Sequence, residues 1–257
     1  MRISNRAFPF LSMNFQVTTV TSFFRGFFTT MHSWITSICE ISSRAANLPR
    51  AAKAPEPLII FILGPPGAGK GTQSNLLKAA FPSLTHLSYG DLLRQEDRIP
   101  GSWVSSLPRR NGGTKPLVPA IAAAQLLRRT IDVGVRRGQL TWLVDGFPRS
   151  EAHVEAWVAQ MPAAQHALYL SCPRDTLVQR VLGRAATSGR PDDAVTGVVQ
   201  ERIGRSLRER EALLSALAKH GMRATEIDAT QSVADVERGV RAAYRGAVNT
   251  WKLEQGL

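Results

Sequence analysis

The chain has 257 residues, of which 44% are hydrophobic and 20% charged, and this composition excludes a disordered or fibrous protein. Its 32 Lys and Arg residues against 20 Asp and Glu give a net charge of +12, which suits either nucleic acid or small polyanions as ligands. The two cysteines, Cys39 and Cys172, are too few for a disulfide framework or a four-ligand zinc site.

Residues 1–57 differ in composition from the rest of the chain. Met1 to Cys39 contain arginine but no Asp or Glu, with many Ser, Thr and Phe residues, which is typical of an organelle transit peptide. Residues 42–57 have the proline and alanine content of a linker. We therefore expect an N-terminal extension and a mitochondrial or other organelle location. A translation start at Met13 or Met31, with a cytoplasmic location, is the alternative.

No run of about 18 apolar residues predicts a transmembrane helix. From residue 58 onwards, strand and helix patterns alternate, which predicts right-handed βαβ crossovers and ligands at the carboxyl ends of the strands. We expect an α/β fold in three layers around a central parallel sheet of five strands. The predicted strands cover residues 58–63, 86–88, 140–144, 167–170 and 224–227, and the predicted helices cover 72–80, 119–137, 150–160, 174–184, 195–220 and 231–246.

A glycine-rich loop, Gly64–Thr72, lies between the first predicted strand and the first predicted helix. It contains G-x-x-x-x-G-K, whose glycines let backbone N–H groups point at phosphate oxygens while Lys70 meets the β- and γ-phosphates. The following helix adds the positive end of its dipole. Gly71 stands where the common P-loop has Ser or Thr, so the candidate hydroxyl for a metal ion is that of Thr72, one residue later.

Five further motifs follow this loop: Ser88–Arg94 (SYGDLLR), Leu117–Pro119 (LVP), Asp145–Arg149 (DGFPR), Arg180–Arg184 (RVLGR) and Thr187–Asp193 (TSGRPDD). With the loop G-x-P-G-x-G-K-G-T, their order resembles that of the nucleoside monophosphate kinases, the family of adenylate kinase and UMP-CMP kinase. The resemblance covers about residues 58–247. It implies a kinase domain over residues 58–257 with a P-loop fold, a monophosphate-binding insertion at about 88–118 and a short, zinc-free lid at about 185–194.

The resemblance also implies the activity, transfer of the γ-phosphoryl group of ATP to a nucleoside monophosphate, and the residues that serve it. The implied ATP site comprises Gly64, Gly67, Ala68, Gly69, Lys70, Gly71, Thr72, Arg180 and Arg184. The implied acceptor site comprises Tyr89, Arg94, Leu117, Val118, Gly146, Arg149, His153, Arg190 and Arg202. The implied catalytic residues are Lys70, Arg149, Arg184, Arg190 and Arg202. Thr72 and Asp145 would hold Mg²⁺ through water.

The arginines also make sense without the resemblance. Two nucleotides brought together present many negative charges, which must be neutralised before an anionic oxygen can attack a phosphoryl group. Fixed guanidinium forks do this best, and the acceptor phosphate needs no general base. We expect AMP as the acceptor, with UMP or CMP as the alternative, a monomeric enzyme, and no nucleic-acid partner.

Several departures from the family pattern lie on the acceptor side. His153 stands where adenylate kinases have Gln and UMP-CMP kinases commonly have Asn, and Tyr89 replaces a small Thr, Ser or Ala. Pro and Gly residues break the helix usually found between residues 98 and 115. The spacing after Asp193 makes Arg205 and Arg208 alternatives to Arg202. These departures leave open a second class of function, a nucleotide-binding protein that has lost its acceptor.

Overall fold

The structure, a computed structural model, describes residues 56–108, 118–161, 164, 166–184, 193 and 195–256. All of these belong to one unit of the chain, Pro55–Leu257. Nearly all of the predicted N-terminal extension lies outside the described residues, as do Leu117, Arg190 and most of the predicted lid. The expectations for those segments stay predictions.

Five parallel strands form the central sheet: β1 (Leu58–Leu63), β2 (Leu84–Ser88), β3 (Thr141–Asp145), β4 (His166–Ser171) and β5 (Arg223–Asp228). Their order across the sheet is β2-β3-β1-β4-β5, with β1 hydrogen-bonded to β3 on one side and to β4 on the other. Every residue of β1 is at most 2% exposed, as its six consecutive apolar residues predict. The parallel five-stranded sheet of the predicted fold is thus confirmed.

Helices in the described ranges cover both faces of the sheet. They are α1 (Lys70–Ala80), α2 (Tyr89–Asp97), α3 (Ala120–Arg136), α4 (Glu151–Val158), α5 (Arg174–Gly183), α6 (Thr196–Arg208), α7 (Arg210–Lys219) and α8 (Val233–Gln255). One core cluster joins α3, α4 and α7 to one face, and a second joins α1, α5, α6 and α8 to the other. Successive β1 side chains alternate between the clusters, because strand side chains point to opposite faces. The molecule therefore has three layers.

Two of the predicted helices were wrong in extent. The single long helix predicted over residues 195–220 is two helices, α6 and α7, which meet at Glu209. The two helices pack against different partners, α6 against α5, and α7 against α4 and β5. A single straight helix could not make both sets of contacts. The last helix continues to Gln255, because Trp251 packs in the core and its indole N–H donates to the carbonyl oxygen of Glu56 at 2.9 Å.

None of the helices in the described ranges is both long enough and apolar enough to cross a membrane. The strand order places the carboxyl ends of β3, β1 and β4 side by side. The connection that leaves β1 runs towards the β2 edge of the sheet, and the connection that leaves β4 runs towards the β5 edge. In open α/β sheets, ligands bind in the crevice at such a position. All of the described candidate residues lie in or near the loops and helices that start from this edge.

Candidate active site

The glycine-rich loop after β1 is wedged between β4 and α5. A Cβ atom at Gly64 would lie 2.5 Å from the carbonyl oxygen of Leu170, and one at Gly67 would lie 2.7 Å from that of Leu177. Both glycines also have positive φ angles, 135° and 90°. Only glycine fits these two positions, and the tight loop that results leads directly into α1.

The start of α1 is suited to an anion. Its N-cap, Gly69, supplies no side-chain hydrogen bond, and the first turn has no acidic residue. Backbone N–H groups and the positive end of the helix dipole lie at such a terminus. The Lys70 ammonium group donates to the carbonyl oxygens of Gly64 at 2.7 Å and Pro65 at 2.9 Å, which hold its charge against the loop. The geometry is that of a phosphate cradle.

Arg149 lies within electrostatic range of two other arginines, Arg94 on α2 and Arg202 on α6. Arg149 follows β3, and its Nε donates to the carbonyl oxygen of Gly146 at 2.7 Å. Its pKa is lowered, first by desolvation, and the guanidinium groups of Arg202 and Arg94 lower it further while Tyr89 and Asp145 raise it. Like charges are kept together in proteins where a polyanion is to be bound.

An aromatic cluster lies beside these arginines. Tyr89, only 2% exposed, packs edge-on against Phe147 and His153, with ring centroids 5.5 and 6.5 Å apart. The guanidinium carbon of Arg149 lies 5.1 Å from the centre of the Tyr89 ring. Burial raises the pKa of Tyr89 to about 12, so its hydroxyl is neutral and the contact with Arg149 is a cation–π interaction. Guanidinium groups and aromatic rings thus stand side by side.

A second arginine arrangement flanks the predicted lid. Asp193 is fully buried and bonds two arginines, accepting from Nε of Arg184 at 3.2 Å and from Nη1 of Arg202 at 2.9 Å. The carboxylate therefore links the end of α5 to the first half of α6. It is Arg202 that reaches Asp193, whereas Arg205 pairs with Glu201 along its own helix.

The carboxylate predicted to face a metal ion is close to the glycine-rich loop. Asp145 is the last residue of β3 and is paired in register with Ile62, two residues before Gly64. Its Oδ2 lies 3.6 Å from Nε2 of His86 on β2. Thr72 lies in the first turn of α1. A carboxylate and a hydroxyl are oxygen donors, the chemistry that Mg²⁺ prefers, and Mg²⁺ is usually bound by one or two carboxylates plus substrate phosphates.

Arg180 differs from the other candidates in where its side chain goes. Its Nη1 donates to the carbonyl oxygen of Ala229 at 2.8 Å, in the loop after β5, and lies 3.8 Å from Sγ of Cys172. It thus lies at the β5 side of the crevice. Val118 packs against the core and Gly146, with φ of 76°, forms the turn after β3. Neither Ala229 nor Phe147 was among the predicted site residues, although Phe147 lies within a matched motif.

The fold, the phosphate cradle and the converging arginines define a P-loop nucleotide-binding protein. The family model described as an AAA domain matches residues 63–198. The uridylate kinase of Saccharomyces cerevisiae is 32% identical over 205 residues, 79% of this chain and 99% of the yeast protein. The uridylate kinase of Schizosaccharomyces pombe is 36% identical over 140 residues, 54% of this chain and 73% of that protein. The UMP-CMP kinase of Homo sapiens is 32% identical over 186 residues, 70% of this chain and 93% of the human protein.

The chain belongs to the nucleoside monophosphate kinase family. It is a kinase, as the motif order predicted. The family named from the sequence is therefore confirmed.

Proposed function

We propose that this kinase transfers the γ-phosphoryl group of ATP to a pyrimidine nucleoside monophosphate, UMP or CMP. The bond from the γ-phosphorus to the bridging oxygen breaks, a phosphate oxygen of the acceptor bonds to that phosphorus, and the products are ADP and a nucleoside diphosphate. The relatives are named for uridylate and for UMP and CMP. They support the alternative raised from the sequence rather than AMP, the acceptor first expected.

The observation that carries this proposal is the aromatic cluster beside the acceptor-side arginines. Arg94 and Arg149 would supply charge for a monophosphate, and the partly exposed ring of His153, backed by the buried rings of Tyr89 and Phe147, would supply an aromatic surface for a base. A nucleotide carries its phosphate and its base only a sugar apart, so this spacing of charge and rings suits a mononucleotide.

The size of Tyr89 favours the smaller bases. Its buried ring occupies space that a Thr, Ser or Ala side chain leaves open, and it is backed by Phe147, which is fully buried. Close-packed surroundings of this kind do not yield without cost. A one-ring pyrimidine needs less room than a two-ring purine, so a site narrowed by Tyr89 would favour UMP and CMP.

The remaining chemistry is positioning and charge stabilisation. Lys70 and the amides of the loop would hold the ATP phosphates, while Arg149, Arg184 and Arg202 would offset charge on the transferred group. Thr72 and Asp145 would hold Mg²⁺ through water, and the ion would help to neutralise the charge of the phosphates. The acceptor phosphate is already anionic, so no proton has to be removed by the protein.

A direct phosphotransfer assay tests the proposal. Purified protein is incubated with ATP, Mg²⁺ and UMP, CMP, AMP or dAMP, and the diphosphates are separated and quantified. We expect kcat/KM for UMP or CMP to exceed that for AMP at least about tenfold, which is the size of discrimination a pocket contact provides. Preferential use of AMP would contradict the proposal. A protein that binds ATP but phosphorylates none of the four would instead be the degenerate binding protein.

Replacing Tyr89 with Ala tests the size argument within the same assay. Removing the ring should raise the ratio of AMP to UMP use, because space opens for the second ring of a purine. Protein purified in parallel with Lys70→Met controls for contaminating kinases from the expression host. An unchanged ratio in Tyr89→Ala would show that this ring does not limit the base.

A further inference from the structure

His153 occupies a defined place in the aromatic cluster. It lies in the first turn of α4, four residues after Arg149, and its ring packs at 5.0 Å from the ring of Phe147 with an interplanar angle of 32°. Desolvation by burial, followed by the charge of Arg149, lowers the pKa of His153 to about 4. The imidazole is therefore neutral at physiological pH.

The hydrogen bond to the backbone selects one tautomer of this neutral ring. The backbone N–H of Arg149 donates to Nδ1 of His153 at 3.1 Å. A nitrogen that accepts a hydrogen bond carries no proton, so the proton of the neutral ring is on Nε2. Nε2 is consequently a donor and cannot accept.

The donor on Nε2 is available to a ligand. Among the described residues, Nε2 of His153 has no hydrogen-bond partner, and this atom is not completely buried. The neighbouring Phe147 offers no polar group. In the cluster of Tyr89, Phe147 and His153, it is His153 whose ring tautomer is set by a described hydrogen bond to the backbone.

Uracil and cytosine differ in the group that such a donor meets. At position 4 uracil has a carbonyl oxygen, an acceptor, whereas cytosine has an amino group, a donor. This position lies across the ring from the glycosidic bond, so its substituent extends farthest from the ribose when the phosphate is held by arginines. An amide side chain can rotate to present either a donor or an acceptor, whereas the imidazole held by Arg149 cannot.

We propose that His153 is a specificity-determining residue that donates from Nε2 to O4 of uracil, so that the enzyme uses UMP in preference to CMP. The inference rests on the proposed function, since it concerns the same acceptor site. With CMP bound, the Nε2–H group faces another donor, and both groups lose a hydrogen bond that water would have supplied. Loss of such a contact is a strong basis for rejecting a close analogue.

The test compares UMP with CMP in the wild-type enzyme and in His153→Phe, which keeps a ring against Phe147 but removes the donor. Both kcat/KM and the equilibrium dissociation constant are measured for each nucleotide. We expect the wild-type enzyme to favour UMP at least about tenfold by both measures, and His153→Phe to favour it less than about threefold, mainly through weaker use of UMP.

His166→Phe is the matched control. His166 is also half-buried and also makes one hydrogen bond, between Nε2 and the Thr225 hydroxyl at 2.7 Å, but it lies at the amino end of β4, away from the crevice. Its replacement removes one hydrogen bond from a histidine, as His153→Phe does. The preference for UMP should remain in this variant.

A substrate analogue tests the same contact without changing the protein. The pyrimidin-2-one ribonucleoside monophosphate lacks the 4-substituent of UMP, so the wild-type enzyme should bind and use it at least about tenfold less well, and His153→Phe should barely distinguish the two. Equal use of UMP and CMP, a preference for CMP, or an unchanged preference in His153→Phe would overturn the inference. Absence of turnover with every nucleotide would refute the proposed function, whereas the binding ratio would still decide the role of His153.

Discussion

Replacing Asp193 with Asn measures how strongly one buried carboxylate organises the arginines of this site. The carboxylate is 0% exposed, whereas the side chains of Arg184 and Arg202 are 38% and 22% exposed. The substitution keeps the volume and one acceptor oxygen but removes the charge. It therefore separates charge pairing from packing.

The expected loss of stability lies between two limits. Removing one partner of a fully buried ion pair costs about 3–5 kcal/mol, and removing a surface pair costs about 0–1 kcal/mol. Because water reaches both arginines, we expect the free energy of unfolding to fall by about 2–3 kcal/mol. For a domain of this size, that corresponds to a melting temperature about 5–10 °C lower. Turnover should fall at least about tenfold, since the guanidinium groups lose the group that aligns them.

Urea unfolding, thermal unfolding and steady-state kinetics check this prediction. Asp132→Asn is the control, because Asp132 pairs with Arg128 at 3.5 Å on the surface of α3, with both side chains about half exposed. That variant should lose less than about 0.5 kcal/mol. If Asp193→Asn were as stable and as active as the control, the carboxylate would not be holding the arginines.

Three further outcomes are expected. Lys70→Met should abolish phosphotransfer while leaving the far-ultraviolet circular dichroism spectrum intact, since Lys70 is the first residue of α1 and lies outside the two core clusters; normal turnover would remove it from the ATP site. Removal of residues 1–57 should leave a folded, active kinase, as judged by solubility and turnover, because every matched motif lies beyond Pro57 and Trp251 stays packed in the core even without the Glu56 carbonyl; failure to fold would make the leader structural. The pKa of His153 is about 4 in the folded state, below its unfolded value of 6.5. Between these two pH values the unfolded chain binds a proton that the folded protein does not. Acidification in this window should therefore lower the free energy of unfolding by at most about 3 kcal/mol. His153→Phe should weaken that pH dependence in urea unfolding, and an unchanged pH dependence would show that His153 is not its source.

Local signals in the sequence were enough for the strand and loop that build the phosphate site. Six apolar residues before Gly64 predict a buried strand, and the spacing of the glycines before Lys70 predicts a loop that leads into a helix. These features depend on residues a few positions apart, through side-chain periodicity and backbone conformational limits. The order of the motifs then identified the family.

Properties that depend on residues distant along the chain were settled by the tertiary structure alone. The division of residues 195–220 into α6 and α7 follows from their different packing partners, and the extension of α8 follows from the burial of Trp251. The pairing of Asp193 with Arg202, while Arg205 pairs with Glu201, likewise follows from how α6 packs. In each case the local pattern allowed several outcomes.

His153 illustrates the same division at the level of a single side chain. The sequence shows that an imidazole follows Arg149 by four positions, and the family resemblance implies an amide at that position. Only the fold decided that the ring is half-buried beside Phe147, accepts a hydrogen bond from the backbone of Arg149 and is neutral. The physical reason is that a tautomer and a pKa depend on burial and on the partner of each nitrogen, and both are consequences of packing.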